Sequence, residues 1–443
     1  MILTQKLLNL KPDFRALLEK AFSTDFFRNS LILLTGTVAA QIIPVLMQLF
    51  LRRVFSPEQF GAFSVYMSIL GILSIIVTLR YEMAIVLPDD NTDAVNLLGL
   101  TIGLSFIFNI VLAVVIFLFH LPIIHVFNFP EKYGLFLYFI PPGVFLFSSY
   151  QAINYWLIRI KAFKASSINK VSRRAAEGVV QIIFGIVKLP VGLVMADLIG
   201  NFVNNLSGIN QLFKHNIEFK SIRINRIFLL WKRYIHFPKY NLLPAVLDTF
   251  TLAMPIFLIN KFFSSTCAGF VDLTQLAIVA PLSIISATIS QVLLQKISEK
   301  RQANQPILRN VVSLSIVLFS IAFIVLLVIQ LWSTSLFQFV FGDKWLISGQ
   351  IAKILVLSYS IRFIVSPLSI IFIALEKIRT QAFWQIFYFL LIGSLIFYSD
   401  FEFNKFLKLY VIFEVIAYLL YYTIIIKISR DYDRNLKCVA LAE

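Results

Sequence analysis

Twelve times along this chain a run of about twenty or more mostly apolar residues is cut off by a short polar or charged stretch. The runs lie near 30–51, 61–87, 94–118, 135–158, 166–187, 190–213, 241–262, 269–295, 310–331, 348–373, 381–398 and 406–427. A helix rises about 1.5 Å per residue, and the hydrocarbon core of a bilayer is about 30 Å thick. Each run therefore has the length of one crossing. Charged residues make up 14% of the chain and hydrophobic ones 59%, whereas a soluble domain carries about 25% charged. In water, so many apolar runs would leave exposed patches far beyond what a soluble protein tolerates. The pattern predicts an all-α polytopic membrane protein of about twelve transmembrane helices.

The charges between the runs orient the chain. The formal net charge is +16, and the basic residues cluster in alternate connections. One connection holds Arg159, Lys161 and Lys164, with Lys170, Arg173 and Arg174 close behind. The connection after the sixth run holds Lys214, Lys220, Arg223, Arg226, Lys232, Arg233 and Lys239. The one after the eighth holds Lys296, Lys300, Arg301 and Arg309. In the odd connections Lys132, Lys188 and Lys261 stand alone. About three quarters of all Lys and Arg fall on one side, which the positive-inside rule makes cytoplasmic, with both termini there too. One missed span would invert every later loop and destroy the asymmetry. The charge thus reads as topology, and nucleic acid is excluded as a partner because no soluble basic domain exists to bind it.

The expected divisions are a cytoplasmic amphipathic segment over 1–29, a six-helix lobe over 30–213, a basic cytoplasmic linker over 214–240, a second lobe over 241–428 and a cytoplasmic tail over 429–443. In the first segment Phe14, Leu17, Leu18, Ala21 and Phe22 recur at helical spacing. Lysines and arginines interrupt that segment, so it does not read as a cleavable signal. The two cysteines, Cys267 and Cys438, fall on opposite sides of the membrane and do not pair. A faint repeat links the halves: Pro44, Phe55, Ser56, Gly61 and Phe63 are echoed by Pro255, Phe263, Ser264, Gly269 and Phe270. Paired halves with mid-membrane prolines are a common way to build a central transport site.

Polar groups inside the runs mark that site, since a charge at mid-bilayer costs about 2.5–3.5 kcal/mol on insertion scales. Arg80 and Glu82 close the second run, either as a charged cavity wall or as snorkelling interfacial charges. Asp197, Asn201, Asn204 and Asn205 share one helical face, which lines either a wet cavity or a hydrogen-bonded helix contact. Thr37, Gln41 and Gln48 share a face of the first run, which ends at Arg52 and Arg53. Asp248 is the deepest carboxylate of the second half. Lys261 and Asp272 read as interfacial. Arg362 stands alone among serines, with Pro367 beyond it, and arginine suits phosphate because its fork binds oxygens two at a time. Glu82, Asp197 and Asp248 are the candidates for carrying a coupling proton or sodium. No GxSxG, HExxH, Walker A or CxxC motif is present, so no catalytic residue, metal site or cofactor is expected and no ATP hydrolysis by this chain.

Several stretches resemble Wzx-type polysaccharide flippases. They are Leu79 to Pro88 (LRYEMAIVLP), Asn154 to Arg159 with Lys161, Phe163 and Lys164, His236 to Asn241 (HFPKYN), and Ala280-Pro281-Leu282 with Gln291 beyond. They run in register over about 26–300; past 300 only hydropathy agrees. The resemblance implies the fold of the multidrug/oligosaccharidyl-lipid/polysaccharide (MOP) exporter superfamily, two pseudo-symmetric six-helix lobes around a central cavity, in the bacterial inner membrane. It implies a substrate, an undecaprenyl-pyrophosphate-linked oligosaccharide such as an O-antigen unit, moved from the cytoplasmic to the periplasmic leaflet. Polysaccharide polymerase and chain-length proteins are the further partners it implies. Arg80, Arg362, Arg52 and Arg53 would hold the phosphates, and Gln41, Asn201, Asn204 and Asn205 the sugars. The rival readings are a drug exporter of the same fold, which would favour a carboxylate-dominated cavity, and a polysaccharide polymerase, which would need a large external loop.

Overall fold

The computed structural model describes residues 44, 46–187 and 189–440. Among these, each expected run is mainly helical as far as it is described, and no strand occurs. We number the main helices in chain order. α1 is described over 46–54. α2 is Pro57–Val77, α3 Asn91–Leu118, α4 Ile140–Arg159, α5 Phe163–Val187 and α6 Gly192–Lys214. After the linker come α7 Leu243–Phe262, α8 Ser265–Gln302, α9 Leu308–Phe341, α10 Leu346–Val365, α11 Ile378–Gly393 and α12 Phe403–Ala440. Nine of the described helical segments are long and apolar enough to cross a membrane. The molecule is a polytopic membrane protein. α5 and α6, at 25 and 23 residues, are long enough but more polar than the rest. What they bury between them explains this, as described below.

The helix ends follow local chemistry. Ser56 caps α2 in a capping box: its hydroxyl accepts from the Gln59 amide and the Gln59 side chain accepts from the Ser56 amide, with Pro57 at the first helical position. Ser264 caps α8, accepting from the Cys267 amide. α2 ends at Val77, ten residues before the apolar run does. Leu79 and Arg80 sit at φ 50° and 65°, a left-handed conformation that no helix continues through, and Tyr81–Val86 follows as a 3₁₀ turn. Pro367 divides the tenth run: α10 passes at Ser366 into a 3₁₀ turn, then a short helix Ile370–Ala374. α12 runs past its apolar stretch to Ala440. There both carboxylate oxygens of Asp433 accept from the amides of Ile307 and Leu308, at 2.7 and 3.1 Å, and so cap the start of α9.

The basic linker is itself structured. A ten-residue amphipathic helix, Ile224–Arg233, buries Leu230 and exposes Ile224, Phe228 and Leu229. Arg226 grips Asp93 with two hydrogen bonds, 2.5 and 3.0 Å, and the Tyr81 hydroxyl donates to the carbonyl of Trp231 at 3.0 Å. The linker is thereby fastened to the start of α3 and to the 3₁₀ turn. The expected amphipathic segment over 1–29 lies outside the described residues.

Candidate functional site: a cavity between the lobes

The two halves meet where α2 and α8 begin. A Cβ on Gly61 would lie 1.6 Å from the Ser265 carbonyl oxygen, and one on Gly269 would lie 1.9 Å from the Pro57 carbonyl oxygen. Backbone touches backbone, and only glycine permits it. In lipid no hydrophobic force pulls helices together, so such close small-residue approaches carry the association. The sequence repeat acquires its meaning here. Each helix has a capping serine, with the glycine of the crossing five residues further on.

Polar contacts reinforce this sealed end. Arg52 donates to Asp272 of the other lobe at 2.5 Å and to Gln48 at 2.8 Å. Its guanidinium lies 3.6 Å from the centre of the Phe60 ring and 4.7 Å from that of Trp345, a cation–π clamp on both. The Trp345 indole donates to the Arg52 carbonyl at 2.5 Å. Arg53 donates to the carbonyls of Phe339 and Val340 at 3.1 and 3.3 Å. The Asn260 amide reaches the Phe127 carbonyl at 2.5 Å, and that of Asn128 reaches the Asn260 carbonyl at 3.2 Å.

Directly beneath the seal is a cavity of about 440 Å³, walled by α1 and α2 from one lobe and α7 and α8 from the other. Its polar lining is Gln48, Arg52, Ser64, Ser68, Asp272 and Gln275; Phe63, Met67, Ile256 and Val279 are among its apolar walls. Val279 also lines a second cavity of about 250 Å³, which Ser283, Ser286, Ser290 and Ser366 share with Arg362. Asp272, Gln275, Val279, Ser283, Ser286 and Ser290 recur at intervals of three and four, one face of α8. At 1.5 Å per residue the stripe is about 27 Å long, nearly the thickness of the hydrocarbon core. It carries a row of hydroxyl and amide groups, with Arg52 in the first cavity and Arg362 in the second.

Arg362 differs from Arg52. Among the described residues it forms no ion pair within 4 Å. It lies in the field of Glu414 and of Tyr388, Tyr410 and Tyr418. Glu414, 1% exposed, accepts a hydrogen bond from the Tyr388 hydroxyl, and its other oxygen has no partner among the described residues. A narrow gap lined by Gln275, Thr251, Tyr359 and Arg362 separates this cluster from the main cavity. Arg362 is therefore a cation held by aromatic walls and open to the second cavity.

The structure does not bring the other candidates to either cavity. Arg80 pairs with Glu82 at 3.5 Å in the left-handed turn after α2, against α3 and α4. Asp197 and Asn201 are wholly buried inside the first lobe: Arg173 lies 3.2 Å from Asp197, and the Asn201 amide donates to it at 3.1 Å. Asn205 donates to the Leu146 carbonyl at 2.7 Å, and Asn204, also fully buried, has no partner for either amide atom among the described residues. Of the two arrangements open to this stripe, it takes the helix contact, packing α6 on α4 and α5. Arg174 joins Glu177 at 2.7 Å one turn further along the same helix, so both arginines belong to α5 and not to the connection before it. Asp248 is exposed and accepts from Gln385 at 2.5 Å. Gln41 lies outside the described residues. Sequence reasoning missed Asp272, Gln275 and the α8 serines. Their three-and-four spacing was the available signal, but a single carboxylate near a helix start reads as interfacial.

The fold and the cavity define the class first: a two-lobed helical membrane protein of the MOP-superfamily transporter fold. An inward-facing multidrug-resistance MATE family transporter of that superfamily superposes with a TM-score of 0.71 at 14% identity, over 90% of this chain and 95% of the other. The lipid II flippase MurJ in an inward closed conformation gives 0.71 at 14% identity, over 93% of each chain. An outward-facing MATE family transporter gives 0.57 at 15% identity, over 93% of this chain and 95% of the other. No curated protein sequence matches. The family model described as polysaccharide biosynthesis protein matches residues 50–350, and the chain belongs to that family.

Proposed function

We propose that this protein is a flippase that moves an undecaprenyl-pyrophosphate-linked oligosaccharide, such as an O-antigen unit, across the inner membrane. The observation that carries the reading is the path along α8. It is a polar stripe the length of the hydrocarbon core, facing the inter-lobe cavity with Arg52 at one end and, towards the other, a second-lobe cavity with Arg362. A diphosphate and its sugars cannot enter hydrocarbon without losing their hydrogen bonds to water. The path replaces those bonds, while the polyprenyl tail stays in lipid between helices. The family supports the polysaccharide class of the cargo. A drug exporter for organic cations would want a free carboxylate in the cavity, and the one acid lining it, Asp272, is held by Arg52.

In this reading both termini are cytoplasmic and the sealed end faces the periplasm, so the protein rests closed to the outside. Arg53 and Arg80 act at the rims and not on the cargo. Ion coupling is assigned to Glu82 and Asp197, buried carboxylates that each hold one oxygen without a partner among the described residues, before the exposed Asp248. The test is a deletion strain with plasmid-borne variants. The deletion should lose surface polysaccharide and accumulate the lipid-linked unit on the cytoplasmic leaflet, and Arg52→Ala or Arg362→Ala should fail to restore export at normal protein level. Normal polysaccharide from both variants would remove the site assignment.

A further inference from the structure

We propose that Asp272 is a resident stand-in for the substrate's phosphate, and that cargo opens the sealed end by taking Arg52 from it. The inference rests on the flippase reading above. The Arg52–Asp272 contact is the one inter-lobe ion pair among the described residues. Its two members are unequally held. Arg52 is 1% exposed and fixed by Gln48, Phe60 and Trp345, whereas the Asp272 side chain is 30% exposed and lines the cavity. The arginine is the fixed socket and the carboxylate the replaceable plug.

The socket is also underfilled. Arg52 spends its Nη2 on a single carboxylate oxygen and its Nε on Gln48, and its buried Nη1 has no hydrogen-bond partner among the described residues. A guanidinium offers five N–H donors in a planar fork that suits the paired oxygens of carboxylate or phosphate. A diphosphate brings more charge and more acceptor oxygens than one carboxylate, and it can satisfy the edge that Asp272 leaves unused. Exchange of one anion for the other keeps the buried cation paired throughout.

That exchange bears on the seal. The α2–α8 crossing beside it is backbone on backbone at Gly61 and Gly269, without interlocking side chains at that point. Pulling Arg52 from Asp272 with nothing in the cavity leaves an unpaired buried charge, a strongly unfavourable state. With phosphate on Arg52, Asp272 is released to the wet cavity and the lobes lose their ionic tie. The loaded protein opens outward and the empty one stays shut, so the membrane is never left with an open, unoccupied channel.

The experiment is thiol labelling from the periplasmic side. Ser68→Cys places a reporter in the cavity wall, in a Cys267→Ser, Cys438→Ser background, reconstituted with an impermeant maleimide as reagent. Asp272→Asn should speed labelling about tenfold, a small part of what an unpaired buried charge does to an equilibrium. Undecaprenyl pyrophosphate should speed the parent similarly and leave D272N little changed. The reversed pair R52D/D272R should restore slow labelling and ignore the lipid. Melting temperature is measured alongside. D272N labelling no faster than the parent overturns the latch. A lipid that raises the melting temperature without speeding labelling overturns the exchange. A lipid that does neither overturns the flippase reading's substrate and the stand-in role with it, while D272N still decides the latch.

Discussion

The first lobe and the eighth helix each carry a row of polar side chains at helical spacing, and they use it in opposite ways. In the first lobe Asp197, Asn201 and Asn205 turn inward and meet Arg173 and a backbone carbonyl of α4, with two side chains wholly buried. On α8, Gln275 faces the cavity between the lobes, and Ser283, Ser286 and Ser290 face the adjoining cavity against α10. One row binds helices into a body that can move as a unit. The other is left facing the cavities, where the proposed cargo would pass. Polarity inside a span therefore has two meanings, and only the packing partner tells them apart. It also explains why α5 and α6 fall short of the apolarity of the other spans: their polar groups are spent inside the lobe, Arg173 on Asp197 and Arg174 on Glu177.

This contrast can be broken by mutation. The largest effect is expected at Asp197→Ala, which strands the Arg173 guanidinium inside the lobe. Removing one partner of a buried pair costs about 3–5 kcal/mol, and the variant should show a much lower melting temperature and poor expression. Arg173→Ala combined with it should recover part of the loss. Unchanged melting would mean that the pair is not structural.

Gly61→Ala should come next, and should act on the opposite side of the contrast. Its methyl would land 1.6 Å from the Ser265 carbonyl oxygen, so the lobes must part at the sealed end while each keeps its own fold. Export should fall sharply with protein level maintained, and periplasmic labelling of a cavity cysteine should rise. Arg362 sharpens the phosphate claim: Arg362→Lys should retain part of the export that Arg362→Ala loses, because a point charge remains but the two-pronged contact does not. Equal loss in both would favour a packing role among Tyr359, Tyr388 and Tyr410. Ser286→Ala should be the mildest. Each serine is one of several partners, so a fall in export of about twofold with no change in melting is expected, consistent with about 1 kcal/mol or less for one hydrogen bond.

Most of the fold was legible in the sequence, because membrane thickness dictates the length of an apolar run and the basic residues alternate between connections. Ends were less legible. The second run continues apolar through Leu87, yet the helix stops at Val77, since nothing in the composition announces that Leu79 and Arg80 adopt positive φ. The linker's charge was visible but its grip on Asp93 through Arg226 was not, being a contact between residues 133 apart. At the cavities, Arg362 stands out in the sequence as a lone charge in an apolar run, whereas Arg52 is a candidate there only beside Arg53, as a cation for the phosphates that the resemblance implies. Asn201, Asn204 and Asn205 were recognised as sharing a face, but periodicity says which residues point together and never what they point at. Asp272 was passed over for the same reason, because its partner lies 220 residues away.

The central claim is that a lipid-linked diphosphate oligosaccharide occupies the space beside α8. The most direct measurement replaces Ser283 with a photo-crosslinking amino acid in cells that make the polysaccharide, with Ile209 on the lipid-exposed face of α6 as the control position. The account predicts an adduct bearing both polyprenyl diphosphate and sugar from position 283 and ordinary phospholipid from position 209. Phospholipid alone from both positions, in cells that accumulate the lipid-linked unit, would contradict it.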